Sequence, residues 1–100
     1  MGSEVVFEIL GLGIAAVDDI LFVPSYPVPD TKNRVVRAER HGGGLTATAL
    51  VAASTLGARC AYAGALGQDE ESQYVRERLS AAGVDLSLVA ERPDARPVHA

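Results

Sequence analysis

Between Gly44 and Gly57 lie twelve residues, Leu45 to Leu56, that carry no charge: Leu-Thr-Ala-Thr-Ala-Leu-Val-Ala-Ala-Ser-Thr-Leu. Alanine and leucine favour helix, and a glycine just past the last apolar residue is a common helix stop. Wound as a helix, this segment is apolar around almost its whole circumference. Such a helix is stable only where neighbours cover it on more than one side. The rest of the chain is short for that task, since 100 residues hold at most one domain. Small domains with little core usually add disulfides or a metal. Here a single cysteine, Cys60, rules out an internal disulfide, and His41 and His99 stand too far apart to suggest a metal-ligand spacing. The expectation is one incomplete α/β domain over residues 1–100.

Other function classes are excluded by composition. The chain is 48% apolar and 22% charged, which is globular and not disordered. Its net charge is −4 and Lys32 is its only lysine, so it lacks the clustered basic residues of a nucleic-acid surface. No apolar window approaches the roughly 20 residues of a membrane span. Met1-Gly2-Ser3-Glu4 has neither the basic region nor the apolar stretch of a secretory leader. A cytoplasmic protein with no nucleic-acid or membrane partner is expected.

Hydrophobic runs and their punctuation place the elements. Val5 to Leu10, closed by Gly11-Leu12-Gly13, reads as a buried strand. Asp18 to Val23 is a second strand, running into Pro24, Pro27 and Pro29, where no helix propagates. Asn33 to Arg40 mixes β-branched and charged residues and suits an exposed strand; these two make a flap. His41-Gly42-Gly43-Gly44 reads as a loop before the apolar helix. Arg59 to Leu66 is a further buried strand. Asp69 caps a second helix, with Glu70 and Glu71 in its first turn and Gly83 at its end. Val75, Leu79 and Ala82 form its one apolar stripe. Val84 to Val89 and Arg96 to Ala100 are short terminal strands. Strands alternating with helices in this order imply a mostly parallel sheet.

Three motifs bear on chemistry. Gly11-Leu12-Gly13-Ile14-Ala15-Ala16 formally matches the dinucleotide fingerprint, but a helix must open there to receive a pyrophosphate, and the following residues favour strand. A tight strand-end turn is the better account. His41-Gly42-Gly43-Gly44 spells the oxyanion-hole tetrapeptide of lipases, yet no Gly-x-Ser-x-Gly elbow occurs in the chain. An esterase fragment is therefore a weak alternative. The third possibility joins Asp18 to Gly43-Gly44. A carboxylate accepts two hydroxyl hydrogens, and amides before a helix, unobstructed by side chains, approach a polyol closely.

The spacing of these pieces resembles the N-terminal third of the ribokinase-like (PfkB) carbohydrate kinases. The matching run has Gly11-Leu12-Gly13, Asp18 with Ile20-Leu21-Phe22-Val23, Gly43-Gly44 opening a small-residue helix, Gly64-Ala65-Leu66-Gly67-Gln68-Asp69, and Leu79 to Asp85. The resemblance implies the N-terminal part of a three-layer α/β/α fold with a small β lid, its strands about 18–23 and 33–40. It implies that Asp18 binds sugar hydroxyls and that Gly43 and Gly44 line the sugar pocket. Thr48 stands where the family commonly has a sugar-contacting Asn, so it keeps one hydroxyl and lacks the two amide donors. Ala16 replaces a second polar contact of some members, and Ser72 a glycine.

The same resemblance implies ATP and Mg²⁺ for the whole protein, a sugar or nucleoside as substrate, and a lid that can serve as a dimer surface. The catalytic base and ATP site lie downstream in a Gly-Ala-Gly-Asp-type motif, so no catalytic residue is expected within this chain, which alone would be inactive and without a bound cofactor. A non-catalytic sugar- or nucleoside-binding module on the same scaffold is the alternative.

Overall fold

The structure, a computed structural model, describes residues 6–100. The expected start of the first strand, Val5, lies outside the described residues. Strand β1 is Ile9–Leu12 and pairs in parallel with β4, Cys60–Ala63, with Ile9 opposite Cys60 and Leu12 opposite Ala63. Its near end is pinned by Arg59, whose carbonyl accepts from the amides of Glu8 and Ile9. The Glu8 carboxylate accepts in turn from the Arg59 amide at 3.1 Å. Beyond β4, Asp85 adds one parallel bridge, opposite Ala61.

A second, three-stranded sheet, in the order β3-β2-β7, carries the antiparallel flap. Strand β2 is Ala16–Phe22 and β3 is Arg37–Gly43, antiparallel, from Ala16 opposite Gly43 to Phe22 opposite Arg37. The outer strand β7, Val98–His99, runs parallel to β2. Both flap strands differ from the lid strands expected at 18–23 and 33–40. They are displaced toward the body of the domain, so residues 23–36 form the flap tip. Pro24, Pro27 and Pro29 lack the N–H that a ladder needs, and pairing resumes only where Arg37 stacks on the Phe22 ring at 3.9 Å.

Helix α1, Leu45–Thr55, ends as its sequence demands: Gly57 takes φ 102° and its amide bonds to the Ser54 carbonyl, with Ala58 bonding to Ala53. Its burial differs from expectation. Only Ala47 and Leu50 are buried, while Leu45 and Leu56 are 86% and 88% exposed. Packing falls on the side that faces the strands and the end of the second helix, where Ser54 donates to the Ala82 carbonyl at 2.7 Å, and the opposite face is left uncovered among the described residues. Helix α2, Glu70–Ala81, buries Val75 and Leu79 on the stripe anticipated for it. Asp69 caps it, accepting from the Ser72 amide at 3.3 Å. Ser72 is fully buried because its hydroxyl donates to Asp69 and accepts from the Gly67 amide at 2.9 Å. That serine joins the helix start to the preceding turn.

Two expected strands are broken. Arg59 to Leu66 divides at Gly64 into β4 and β5, Ala65–Leu66. The Val84 to Val89 strand is absent apart from the Asp85 bridge. Asp85 accepts from the Ser87 amide at 2.8 Å and turns the chain, so pairing with β5 begins only at β6, Ala90–Glu91. The core lies between the helices and the strands, built on Val17, Leu50, Cys60, Tyr62, Leu66 and Val75.

Candidate functional site

Side chains alternate faces along a strand, so Asp18 and Asp19 of β2 point in opposite directions. Asp18 stands opposite His41 in the register and is half-buried. Its carboxylate lies against the α-carbon of Gly43: a Cβ there would come within 2.9 Å of the Asp18 Cγ. Gly43 is thus buried and bare because the carboxylate takes the space a side chain would need. The expected loop at His41 to Gly44 is corrected on this point. His41, Gly42 and Gly43 belong to β3, and only Gly44 turns the chain into α1. Gly44 adopts φ 91°, and a Cβ on it would meet the Ala15 Cα at 2.9 Å.

The amides ahead of α1 are not all free. That of Ala47 donates to the Ile14 carbonyl at 3.2 Å, and that of Thr48 to the Gly44 carbonyl at 2.9 Å. Thr48 is exposed, one turn into the helix. It shares with Gly43 a cleft of about 340 Å³ between α1 and α2, floored by Ala15 and Ala16, with Arg78 also in its lining. Asp18 and Gly44 are outside that lining. The structure therefore brings Asp18 against Gly43, next to Gly44, and sets Thr48 with Gly43 in a cleft that Asp18 does not line.

The Asp18 carboxylate makes no hydrogen bond or ion pair among the described residues. Its neighbour is fully engaged. Asp19 Oδ1 accepts from Arg40 Nε at 2.9 Å and Oδ2 from Arg40 Nη2 at 3.3 Å, while His99 Nε2 lies 2.5 Å from Oδ2. Arg40 reaches Glu70 at 3.6 Å, and His99 Nδ1 reaches Glu71 at 3.6 Å. The Tyr74 hydroxyl donates to the Arg40 carbonyl at 2.8 Å. The sequence reading missed this network. Opposite charges at Asp19 and Arg40 were visible, but they become a pair only once the β2–β3 register is known.

Hydrogen bonds from Arg40, then His99, hold the Asp19 carboxyl at about 2, below its ordinary 3.8. Asp69 is lowered chiefly by the Ser72 hydroxyl, and Asp85 by Ser87. Carboxylates depressed on folding contribute stability above their unfolded value and lose it as pH falls through the folded one. The melting temperature is expected to hold down to about pH 4 and to fall between about pH 4 and 2. Asp19→Asn should flatten only a small part of that fall, because its pairs are partly exposed and screened by solvent. Melting curves across this range check it; a steeper fall in the variant would contradict the pairing.

His41 is a strand residue, its Nε2 2.9 Å from Glu39 Oε1. With His41 to Gly43 laddered in β3, the tetrapeptide is no open oxyanion loop. After Gly13 the chain enters β2 and not a helix, so the turn lacks the helix start a pyrophosphate site needs. The Tyr62 hydroxyl donates to the Gly13 carbonyl at 2.8 Å and fixes that turn. Among the described residues no three His, Cys, Asp or Glu side chains converge to hold a metal. No helix there is long and apolar enough to cross a membrane.

Parallel strands crossed by helices, with an antiparallel strand pair that sets the Asp18 carboxylate against Gly43, define an α/β domain. Residues 7–98 match the pfkB family of carbohydrate kinases. The chain belongs to that family, and its fold is the N-terminal part of the ribokinase fold. A nucleoside kinase of Methanothermobacter thermautotrophicus is 32% identical over 87 residues, covering 84% of this chain and 28% of that protein. Ketohexokinase of Mus musculus is 33% identical over 82 residues, covering 82% of this chain and 28% of the enzyme. Ribokinase from Cryptococcus neoformans, solved with ADP, superposes with a TM-score of 0.77 at 21% identity, over 94% of this chain and 30% of that one. The chain spans less than a third of the length of each.

Proposed function

We propose that residues 1–100 form one wall of the sugar pocket, and the lid, of an ATP- and Mg²⁺-dependent kinase acting on a sugar or nucleoside hydroxyl. Asp18 accepts hydrogen bonds from two substrate hydroxyls. Gly43 and Gly44 let the substrate approach the main chain, and Thr48 offers one hydroxyl from α1. The catalytic base and the sites for ATP and Mg²⁺ belong to the remainder of the domain, so these residues alone do not catalyse transfer. The protein works in the cytoplasm.

The observation that carries this is the contrast between adjacent carboxylates. Asp19 is spent on structure, whereas the Asp18 carboxylate is half-buried against a bare glycine with no hydrogen-bond or ion-pair partner among the described residues, as a ligand-binding carboxylate would be. Two curated relatives are named for phosphoryl transfer to a nucleoside and to a ketohexose, which supports a polyol acceptor. The lid also exposes Ile20, Leu21, Val35 and Val36, which supports its use as a contact surface for a second copy.

The test is ADP release by the protein at its natural length, with ATP, Mg²⁺ and a panel of pentoses, hexoses, ketoses and nucleosides. Turnover on one class is expected, with none from residues 1–100 alone. Tight binding without turnover would move the assignment to a non-catalytic binding module. Neither binding nor turnover across the panel would overturn the proposal.

A further inference from the structure

We infer that Asp19 is a positioning residue for Asp18: with Arg40 and His99 it fixes the root of the lid against α2 and so holds the Asp18 carboxylate over Gly43. The inference rests on the proposed role of Asp18.

Asp19 sits in the central strand of the lid sheet. Its amide donates to the Ala100 carbonyl at 2.8 Å, beside β7. Its carboxylate grips Arg40, its direct partner across β3, by two prongs, and meets His99 on the other side. One side chain thus spans all three strands. Glu70, Glu71 and Tyr74 then tie Arg40 and His99 to the first two turns of α2. The helix is itself anchored in the core by Val75 and Leu79.

The consequence follows from strand geometry. A one-residue slip of β2 would exchange the faces of its side chains, sending Asp18 toward α2 and Asp19 toward Gly43. Opposite charge fixed on the α2 face, at Arg40, favours one register. Each pair is partly exposed and contributes little to global stability by itself. The network's effect is therefore on where Asp18 points, and its signature is substrate affinity.

The experiment uses the natural-length protein and its best substrate. Asp19→Asn and Arg40→Gln are each expected to raise KM about tenfold with kcat within about twofold, the pattern of lost ground-state binding from a displaced contact. The double variant should be no worse than the worse single one, because both break one network. An unchanged KM in both variants, or fully additive effects, overturns the inference. If Asp19→Asn fails to fold, Arg40→Gln and His99→Gln read the network from the partner side. Asp18→Ala separates the two levels. Full activity in it removes the proposed role of Asp18 and this inference together. Impairment in it, beside normal KM in Asp19→Asn and Arg40→Gln, overturns the positioning role alone.

Discussion

Asp18→Ala in the natural-length protein is expected to lower kcat/KM by about 100-fold or more, with the melting temperature unchanged. Two hydrogen bonds from substrate hydroxyls to a charged acceptor contribute about 1.5–3 kcal/mol each. Losing both costs about 3 kcal/mol or more, and each 1.36 kcal/mol is about tenfold in rate. Stability should be spared because the carboxylate has no partner among the described residues. Asp18→Asn retains one carbonyl acceptor while presenting an NH₂ group where the second acceptor stood. It should fall between the two, about tenfold down. Steady-state kinetics with matched melting curves decide the matter. A rate within threefold of the parent would mean that Asp18 does not grip the substrate.

Gly44→Ala should be strongly destabilising for a change of a single methyl group. Gly44 holds φ 91° and ψ 137°, a region nearly closed to residues with a side chain, at about 1–3 kcal/mol. Its new methyl would also sit 2.5 Å from the Ile14 carbonyl oxygen and 2.9 Å from the Ala15 Cα. These are backbone atoms that cannot rotate away, and overpacking of this kind adds about 1–3 kcal/mol. The total, about 2–6 kcal/mol, is a large share of the roughly 5–15 kcal/mol that holds a domain together. Gly57→Ala is the control. It has a similar φ of 102° with nothing within 4 Å, so only the conformational cost of about 1–2 kcal/mol remains. Urea midpoints of the two variants should differ accordingly, and equal midpoints would show that the Ile14–Ala15 contact exerts no strain.

Much of the fold was legible where its cause is local. Gly57 ends α1, Asp69 begins α2 and Val75 with Leu79 faces the core, because caps, stops and helical stripes act within a turn or two. The prolines 24, 27 and 29 marked the turn between β2 and β3 for the same reason. The strand limits were less legible. Val84 to Val89 has a strand's composition, yet Asp85 captures the Ser87 amide and bends it away. Residues 41–43 look like a loop, yet glycine is what lets β3 run beside Asp18.

The amino-acid sequence alone determined the order of the main elements and the helix ends, since these depend on neighbours in the chain. Only the tertiary structure decided which of two adjacent aspartates is held by Arg40 and His99 and which has no such side-chain partner among the described residues. That choice is a matter of strand register. Contacts between residues 21 and 80 positions apart set it, and no local propensity reports on them.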